Sequence, residues 1–258
     1  MLNKAERYKQ INRIRRRALP ASIRIMADGL TKAIQPILDN LERYATPEDA
    51  QAEAVELLDV NKIEDAYIRL YEVTMQPFAA MEFRRLLRQK AEIEDLATLN
   101  ALWFESVRNY IQYDIAERVT GVGNTTKKRI QSMIQDGINQ GMSIPDISKN
   151  INQLGLPDII RKRSTVIART EVINASNFGI MQGGIATGLA LNKIWISTID
   201  GRERVDHADA DGQIVDMADK FLLGGQECDY PGDPSLPADQ VIQCRCTHAF
   251  IPKEAGEA

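Results

Sequence analysis

Thr187-Gly188-Leu-Ala-Leu-Asn-Lys193-Ile-Trp195-Ile-Ser-Thr198-Ile-Asp200-Gly201 is where this sequence changes its grammar. Lys193 to Thr198 alternates and is rich in β-branched and aromatic residues, which reads as a strand; Asp200-Gly201 reads as a turn. Before Gly188 the apolar residues recur at helical spacing; after it come turn residues and short extended pieces. The expected fold is therefore α+β. A mostly helical N-terminal body over 1–120 precedes a small domain over 121–258, in which a long helix packs on a short antiparallel sheet with long ordered loops.

Upstream of the switch, one long helix is predicted from Pro157 to about Thr187. Arg169, Ile173 and Ser176 share one of its faces, and Glu171, Ala175 and Phe178 another. Gly179, Gly183 and Gly184 each cost about 1 kcal/mol relative to alanine inside a helix, so they mark either a close backbone approach or fraying. Earlier, Gly121-Val-Gly-Asn-Thr125 is expected to break the chain. A helix follows to a stop at Gly141, and Ser143 caps another, with Asp146 at its third position. That helix–turn–helix spelling carries one base, Lys149, in its second helix, which suits hairpin packing better than DNA reading.

Residues 92–119 read as a further helix with Ile93, Leu96, Leu99, Trp103, Val107, Tyr110 and Ile111 on its buried stripe. Thr46-Pro47-Glu48-Asp49 is a helix start, with a threonine cap and proline at the first position. Ile63 to Thr74, and Phe83 to Leu87 after Pro77, also fall at helical spacing. The N-terminus reads as a basic helix over 2–18 ending before Pro20, then a second from Ala21 to about Tyr44, bent or interrupted near Gly29 or Pro36.

The chain has 258 residues and a formal net charge of −4, so its overall charge does not favour nucleic acid. Residues 1–17 differ, with Lys4, Arg7, Lys9, Arg13, Arg15, Arg16 and Arg17 against the single acid Glu6. Lys9, Arg13, Arg15, Arg16 and Arg17 are candidates for docking on an acidic partner or on DNA; the alternative is a solvated helix face. No apolar run is long enough to span a bilayer, and three cysteines do not make a disulfide framework. The expectation is a soluble protein of a reducing cytoplasm without a membrane partner.

Downstream of the switch lie Asp200-Gly-Arg202-Glu-Arg204-Val-Asp-His207, Asp211-Gly212-Gln213, Tyr230-Pro231-Gly232-Asp233-Pro234 and Gln243-Cys244-Arg245-Cys246. Gly212 to Val215 and Thr247 to Phe250 are candidate short strands, and Gly224-Gly225 together with Tyr230 to Pro237 is expected to be irregular. A loop that long needs something to pin it. Three arrangements are open. Cys244 and Cys246 with His207 and Cys228 make a Cys3His zinc set, with His248 as a substitute ligand, although C-x-C is tighter than the usual gap. Arg202 and Arg204, facing one side of an extended segment, can fork onto Asp211, Asp233 or loop carbonyls, with His207 linking the arginine and cysteine segments. Finally, His207 as acid or base with Arg202, Arg204, Arg169 and Glu171 would form a metal-independent nuclease or phosphoryl-transfer site, but no phosphate-cradling glycine motif accompanies it.

The ordered series Ala168-Arg169-Thr-Glu171, Trp195, Asp200-x-Arg202-x-Arg204-x-x-His207, Asp211-Gly212-Gln213, Tyr230-Pro231-Gly232-Asp-Pro234 and Cys244-Arg245-Cys246 resembles the phage Mu protein F-like minor head protein family, also called phage head morphogenesis proteins. The resemblance covers about residues 125–251. It implies a minor capsid protein, made in the host cytoplasm and then carried inside the virion at the portal vertex. Its partners would be the portal protein, with the scaffold or major capsid protein and DNA as further ones. It implies help in procapsid assembly, DNA packaging or genome ejection, and it supplies no catalytic residue. The rival is a nuclease or toxin-like transferase built on the same domain. Gln243 stands where the family commonly has asparagine, and Cys228 lies outside the family pattern.

Overall fold

The computed structural model describes residues 3–87, 96–198 and 200–253. Long helices and a small antiparallel sheet make it an α+β protein. The chain divides into two compact units. One comprises Met1–Ser22, Leu70–Arg108 and Ala168–Ala258, the other Ile23–Arg69 and Asn109–Ile167.

Helix α1 runs Lys4–Leu41 without interruption. The predicted breaks at Pro20 and Pro36 do not occur, although proline inside a helix costs about 3 kcal/mol. The helix buries Ile11, Met26, Leu30, Ile34, Ile37 and Leu41. At about 1.5–3 kcal/mol for each large apolar side chain, that burial outweighs both prolines. Helix α2 (Pro47–Glu53) starts as expected, with the Thr46 hydroxyl accepting from the Asp49 N–H. Helix α3 spans Val60–Leu87 and passes through Pro77. Helix α4 spans Leu96–Asn109. Of the stripe predicted over 92–119, Trp103, Val107, Tyr110 and Ile111 are buried. Ile93 and the side chains of Leu96 and Leu99 lie outside the described residues.

A π-turn over Tyr110–Asp114 separates α4 from α5 (Ala116–Asn139). The expected break at 121–125 is absent, because α5 continues through it. Gly123 packs closely there: a Cβ on it would meet Val60 Cγ2 at a tight 3.3 Å. Thr125 and Thr126 return their hydroxyls to the carbonyls of Gly121 and Val122. The stop at Gly141 holds (φ +68), as does the Ser143 cap on α6 (Ile144–Asn150).

In the first unit, the later part of α7 (Leu156–Ile185) and the early part of α1 pack with the sheet. Gly179 and Gly183 lie against the backbone of α3, where a Cβ would press on the carbonyls of Met75 and Ala79; Gly184 lies against the Phe250 ring. Close approach, not fraying, is the use of these glycines. Strand β1 (Leu191–Ile196) is central, flanked antiparallel by β2 (Ile214–Asp216) and β5 (Thr247–Pro252). Trp195 faces His248 across the β1–β5 pair. Helix α8 (Val205–Asp209) begins directly after the arginine segment, whose Arg204 is extended as expected (φ −68, ψ 149). Gly224-Gly225, expected to be irregular, is the tight turn of a hairpin joining β3 (Phe221–Leu223) to β4 (Gln226–Cys228); both glycines have positive φ. Gln213 clamps the hairpin by accepting from Leu222 N–H at 2.7 Å. Helix α9 (Ala238–Val241) closes the loop region.

Charged residues are buried here as well. Arg7 pairs with buried Glu82, which also takes Arg85 at 2.7 Å and the Phe250 N–H at 3.3 Å. Lys193, fully buried on β1, donates to the Asp229 carbonyl at 2.9 Å and sits 5.2 Å from the Phe221 ring centroid.

Candidate functional site: a Cys–His centre in an arginine-lined cavity

The cysteine segment enters β5 from a strained corner. Gln243 has φ +56, alone among the described non-glycine residues in adopting a positive φ, and its N–H donates to Thr170 Oγ1 at 3.2 Å. Cys244 and Cys246 follow, both buried with Trp195, Phe221 and Leu223 in one apolar cluster. Helix α8 brings His207 to them. Its Nδ1 lies 3.3 Å from Cys246 Sγ and 3.5 Å from Cys244 Sγ. The contact between the two buried thiols pulls Cys246 well below the usual thiol range and pushes Cys244 well above it.

The other face of the histidine fixes its tautomer. Gln240 Nε2 donates to Asp206 Oδ2 at 2.9 Å, so Gln240 Oε1 is turned to His207 Nε2, also at 2.9 Å. An amide oxygen only accepts, so Nε2 carries the proton. In the neutral ring Nδ1 then presents a bare lone pair to the two sulfurs. A histidine metal ligand is held in the same way, with its distal N–H tied to a carbonyl. Zinc bonds of about 2.0–2.1 Å to nitrogen and 2.3 Å to sulfur, at a tetrahedral angle, separate N and S by about 3.5 Å. The observed separations fit, and the ligand atoms of all three residues lie within 4.8 Å of one another.

Cys228 does not join this set. It is buried on β4, and burial pushes its thiol up to about 12, as for a thiol packed in an apolar core. His248, the other proposed ligand, is buried elsewhere. It stacks on Tyr230 at 6.1 Å between ring centroids and meets the Phe250 ring edge-on.

The remaining motif residues form a bonded framework. Asp200 accepts from both Arg202 (2.7 Å) and Arg245 (2.9 Å to Oδ1), and these two guanidinium groups hold its carboxyl far below the usual range. Arg202 and Arg204, expected from sequence to fork onto Asp211, Asp233 or loop carbonyls, bond instead to Asp200 and, as one of those alternatives, to a loop carbonyl. Arg204 takes the Ile242 carbonyl at 2.7 Å. Asp211 instead accepts from Ser197 N–H (2.9 Å) and Lys4 (2.6 Å). Asp233 pins the Pro/Gly loop by accepting from Asp229 N–H and Ser235 N–H. Gly212 (φ +83) donates to the Trp195 carbonyl, and Pro231 gives its carbonyl to Asn177. Gly232 (φ +89) lies against Asn174, where a Cβ would collide. Trp195 is fully buried, its Nε1 donating to Ser197 Oγ at 3.0 Å. Glu171 and Arg169 part company. Glu171 is buried and accepts from Tyr71 Oη at 2.7 Å, while Arg169 is exposed and lines a cavity.

The N-terminal bases also divide. Lys9, Arg13, Arg16 and Arg17 are exposed on α1. Arg15 is buried and stitches the cysteine segment to α7. Its Nε donates to Ser176 Oγ (2.7 Å), its Nη2 to Asn177 Oδ1 (2.8 Å) and the Cys246 carbonyl (3.4 Å), and its Nη1 to the Arg245 carbonyl (3.3 Å). Burial lowers its pKa to about 10, so it stays charged near neutrality. It is therefore unavailable to a docking partner, unlike its exposed neighbours. Sequence reasoning missed Ser176, Asn177 and Gln240. The signal for the first two was present: Asn174, Ser176 and Asn177 interrupt the largely apolar stretch of α7 from Val172 to Ile185.

The trio lies in the wall of a cavity of about 620 Å³, with Arg16 and Arg169 among its other lining residues. Residues 128–249 match the family described as Phage Mu protein F like protein. This segment is phage Mu F-like. A curated relative, the NAD(+)--arginine ADP-ribosyltransferase EFV of Enterococcus faecalis (strain ATCC 700802 / V583), is 26% identical over 136 residues, which is 52% of this chain and 27% of that protein. The chain thus spans about a quarter of that relative's length. No solved structure matches. The Mu F-like match contains the motif residues from Arg169 to Cys246. The positive φ at Gln243 accounts for the asparagine that the resemblance places there, since asparagine tolerates the left-handed region better than glutamine.

Proposed function

We propose that this chain is a minor head protein of a tailed phage or prophage that docks on the portal vertex and assists procapsid assembly, DNA packaging or genome ejection. The observation that carries a structural role is the use of the motif side chains. Asp200, Arg202, Arg204, Asp211, Asp233 and Arg245 bond to each other and to backbone groups, tying loops to the sheet. The Mu F-like match supports the phage-head setting. No helix among the described residues is long and apolar enough to cross a membrane.

Within this reading His207, Cys244 and Cys246 hold a zinc ion that fastens α8 to the start of β5. No further His, Cys, Asp or Glu among the described residues joins the trio, so the fourth position falls to water or to a ligand from the cavity. The exposed bases Lys9, Arg13, Arg16 and Arg17 supply the docking charge for an acidic portal surface or for packaged DNA. Deleting residues 1–20 would not test this cleanly, because Arg7 and Arg15 belong to the interior. Charge reversal of Lys9, Arg13 and Arg17 is the better probe. Sedimentation of the full chain with assembled portal rings should be lost in that triple variant while its thermal unfolding is unchanged. Unaltered co-sedimentation would remove the basic face from the account, and failure of the parent chain to sediment with portal would overturn the docking itself.

A further inference from the structure

The cavity holding the trio has an unusual charge balance. Six arginines line it: Arg15, Arg16, Arg169, Arg202, Arg204 and Arg245. Against them stand two carboxylates, Glu203 in the wall and Asp200 beside it. Both are engaged. Asp200 is shared by Arg202 and Arg245, and Glu203 Oε2 accepts from the backbone N–H groups of Asp200 and Arg202. Arg15 spends its donors on the protein. That leaves Arg16 from α1 and Arg169 from α7, exposed and with no carboxylate or hydrogen-bond partner among the described residues, and Arg204, bonded only to a carbonyl. A surface of this size ordinarily pairs such charges or lets them diverge into solvent; here they share one concavity.

We propose that this cavity binds the dianionic phosphate of a small phosphomonoester, of the nucleotide class. Three observations select that chemistry. The three guanidinium groups that face no carboxylate come from separate segments, Arg16 on α1, Arg169 on α7 and Arg204 before α8, and a terminal phosphate offers three oxygens to them, whereas a carboxylate offers two. The volume of about 620 Å³ lies within the range of small-molecule pockets and encloses more than a bare ion. Beside the arginines the wall carries Leu19, Val172 and Ile173, an apolar patch against which the organic part of a phosphate ester can lie. Neither the portal partner nor the metal is required for this binding.

The test is calorimetric titration of the full chain with a nucleoside 5′-monophosphate, the matching unphosphorylated nucleoside, inorganic phosphate and a short DNA duplex. The monophosphate should bind, the nucleoside should not, and inorganic phosphate should bind more weakly because it lacks the apolar contact. Arg16→Gln and Arg169→Gln should each weaken the monophosphate by about tenfold, the usual scale for losing a charge-assisted hydrogen bond. Both positions are exposed and unpartnered, so these variants keep their fold, which unchanged thermal unfolding verifies. Arg24→Gln, exposed on the same helix but outside the cavity and the docking set, should leave binding as it was. Inorganic phosphate binding as tightly as the monophosphate would retain the phosphate site and overturn the nucleotide assignment. Equal weakening by Arg24→Gln, equal binding of the nucleoside, or binding of the duplex without the monophosphate would overturn the proposal.

Discussion

Replacing Arg15 by methionine tests the internal role of a residue whose surroundings in sequence look like a charged surface. Its two short bonds, 2.7 Å to Ser176 and 2.8 Å to Asn177, are charge-assisted and contribute about 1.5–3 kcal/mol each. The two carbonyl contacts at 3.3 and 3.4 Å add little. Two effects reduce the loss. Methionine fills much of the volume without the desolvation cost of a buried cation. The acceptors also keep other partners, since Asn177 Oδ1 still takes Thr247 Oγ1 and the Cys246 carbonyl still takes Asn177 Nδ2. The expected net loss is about 2–4 kcal/mol. At about 2–4 °C per kcal/mol for a chain of this size, calorimetry should show Tm lowered by roughly 5–15 °C. Fully buried Trp195 reports the same transition by fluorescence. Arg16→Met, one residue away but exposed, should move Tm by no more than about 2 °C. Equal, small shifts for both variants would refute the claim that Arg15 anchors the cysteine segment.

Three further outcomes follow from single residues. Gln243→Asn relieves a left-handed conformation at an exposed position and should raise stability by about 0.5–1 kcal/mol in urea unfolding; destabilisation would mean that the glutamine side chain is needed. His248 is buried with neither ring nitrogen hydrogen-bonded, and desolvation, helped by the positive charges of Lys193, Arg15 and Arg7, keeps its pKa well below the usual value. Its folded pKa is depressed, so the unfolded chain binds the extra proton. Stability should therefore be full above about pH 6.5 and fall below it by up to about 1.4 kcal/mol per pH unit. His248→Phe should flatten that slope, which denaturant titrations at pH 7 and pH 5.5 can measure. Gln240→Leu removes the acceptor that orients His207 and should weaken zinc retention by about 10–100-fold in competition with a chromogenic chelator; unchanged retention would mean that the trio binds no metal through Nδ1.

Much of the fold was legible because periodicity and punctuation are local. The helix–strand switch at Gly188, the caps at Thr46 and Ser143 and the stop at Gly141 all depend on neighbours within a turn or two. The misplaced helix breaks share one cause. Pro20, Pro36, Pro77 and the Gly121–Thr125 stretch are helix breakers by local rule, yet each sits in a helix whose burial elsewhere outweighs the penalty. The site was half legible. His207, Cys244 and Cys246 could be grouped by residue type, but the exclusion of Cys228 and the arrival of Gln240 depend on how short loops fold back. The same holds for Arg15. Nothing in a run of arginines tells which one turns inward until Ser176 and Asn177 are known to face it.

The central claim, a structural component of the phage head, is tested most directly by quantitative mass spectrometry of purified heads from a phage or prophage that encodes this chain. The chain should be present in a small, fixed number of copies per particle, and His207→Ala should reduce both its stability and its incorporation. Normal, infectious heads lacking the chain would contradict the account.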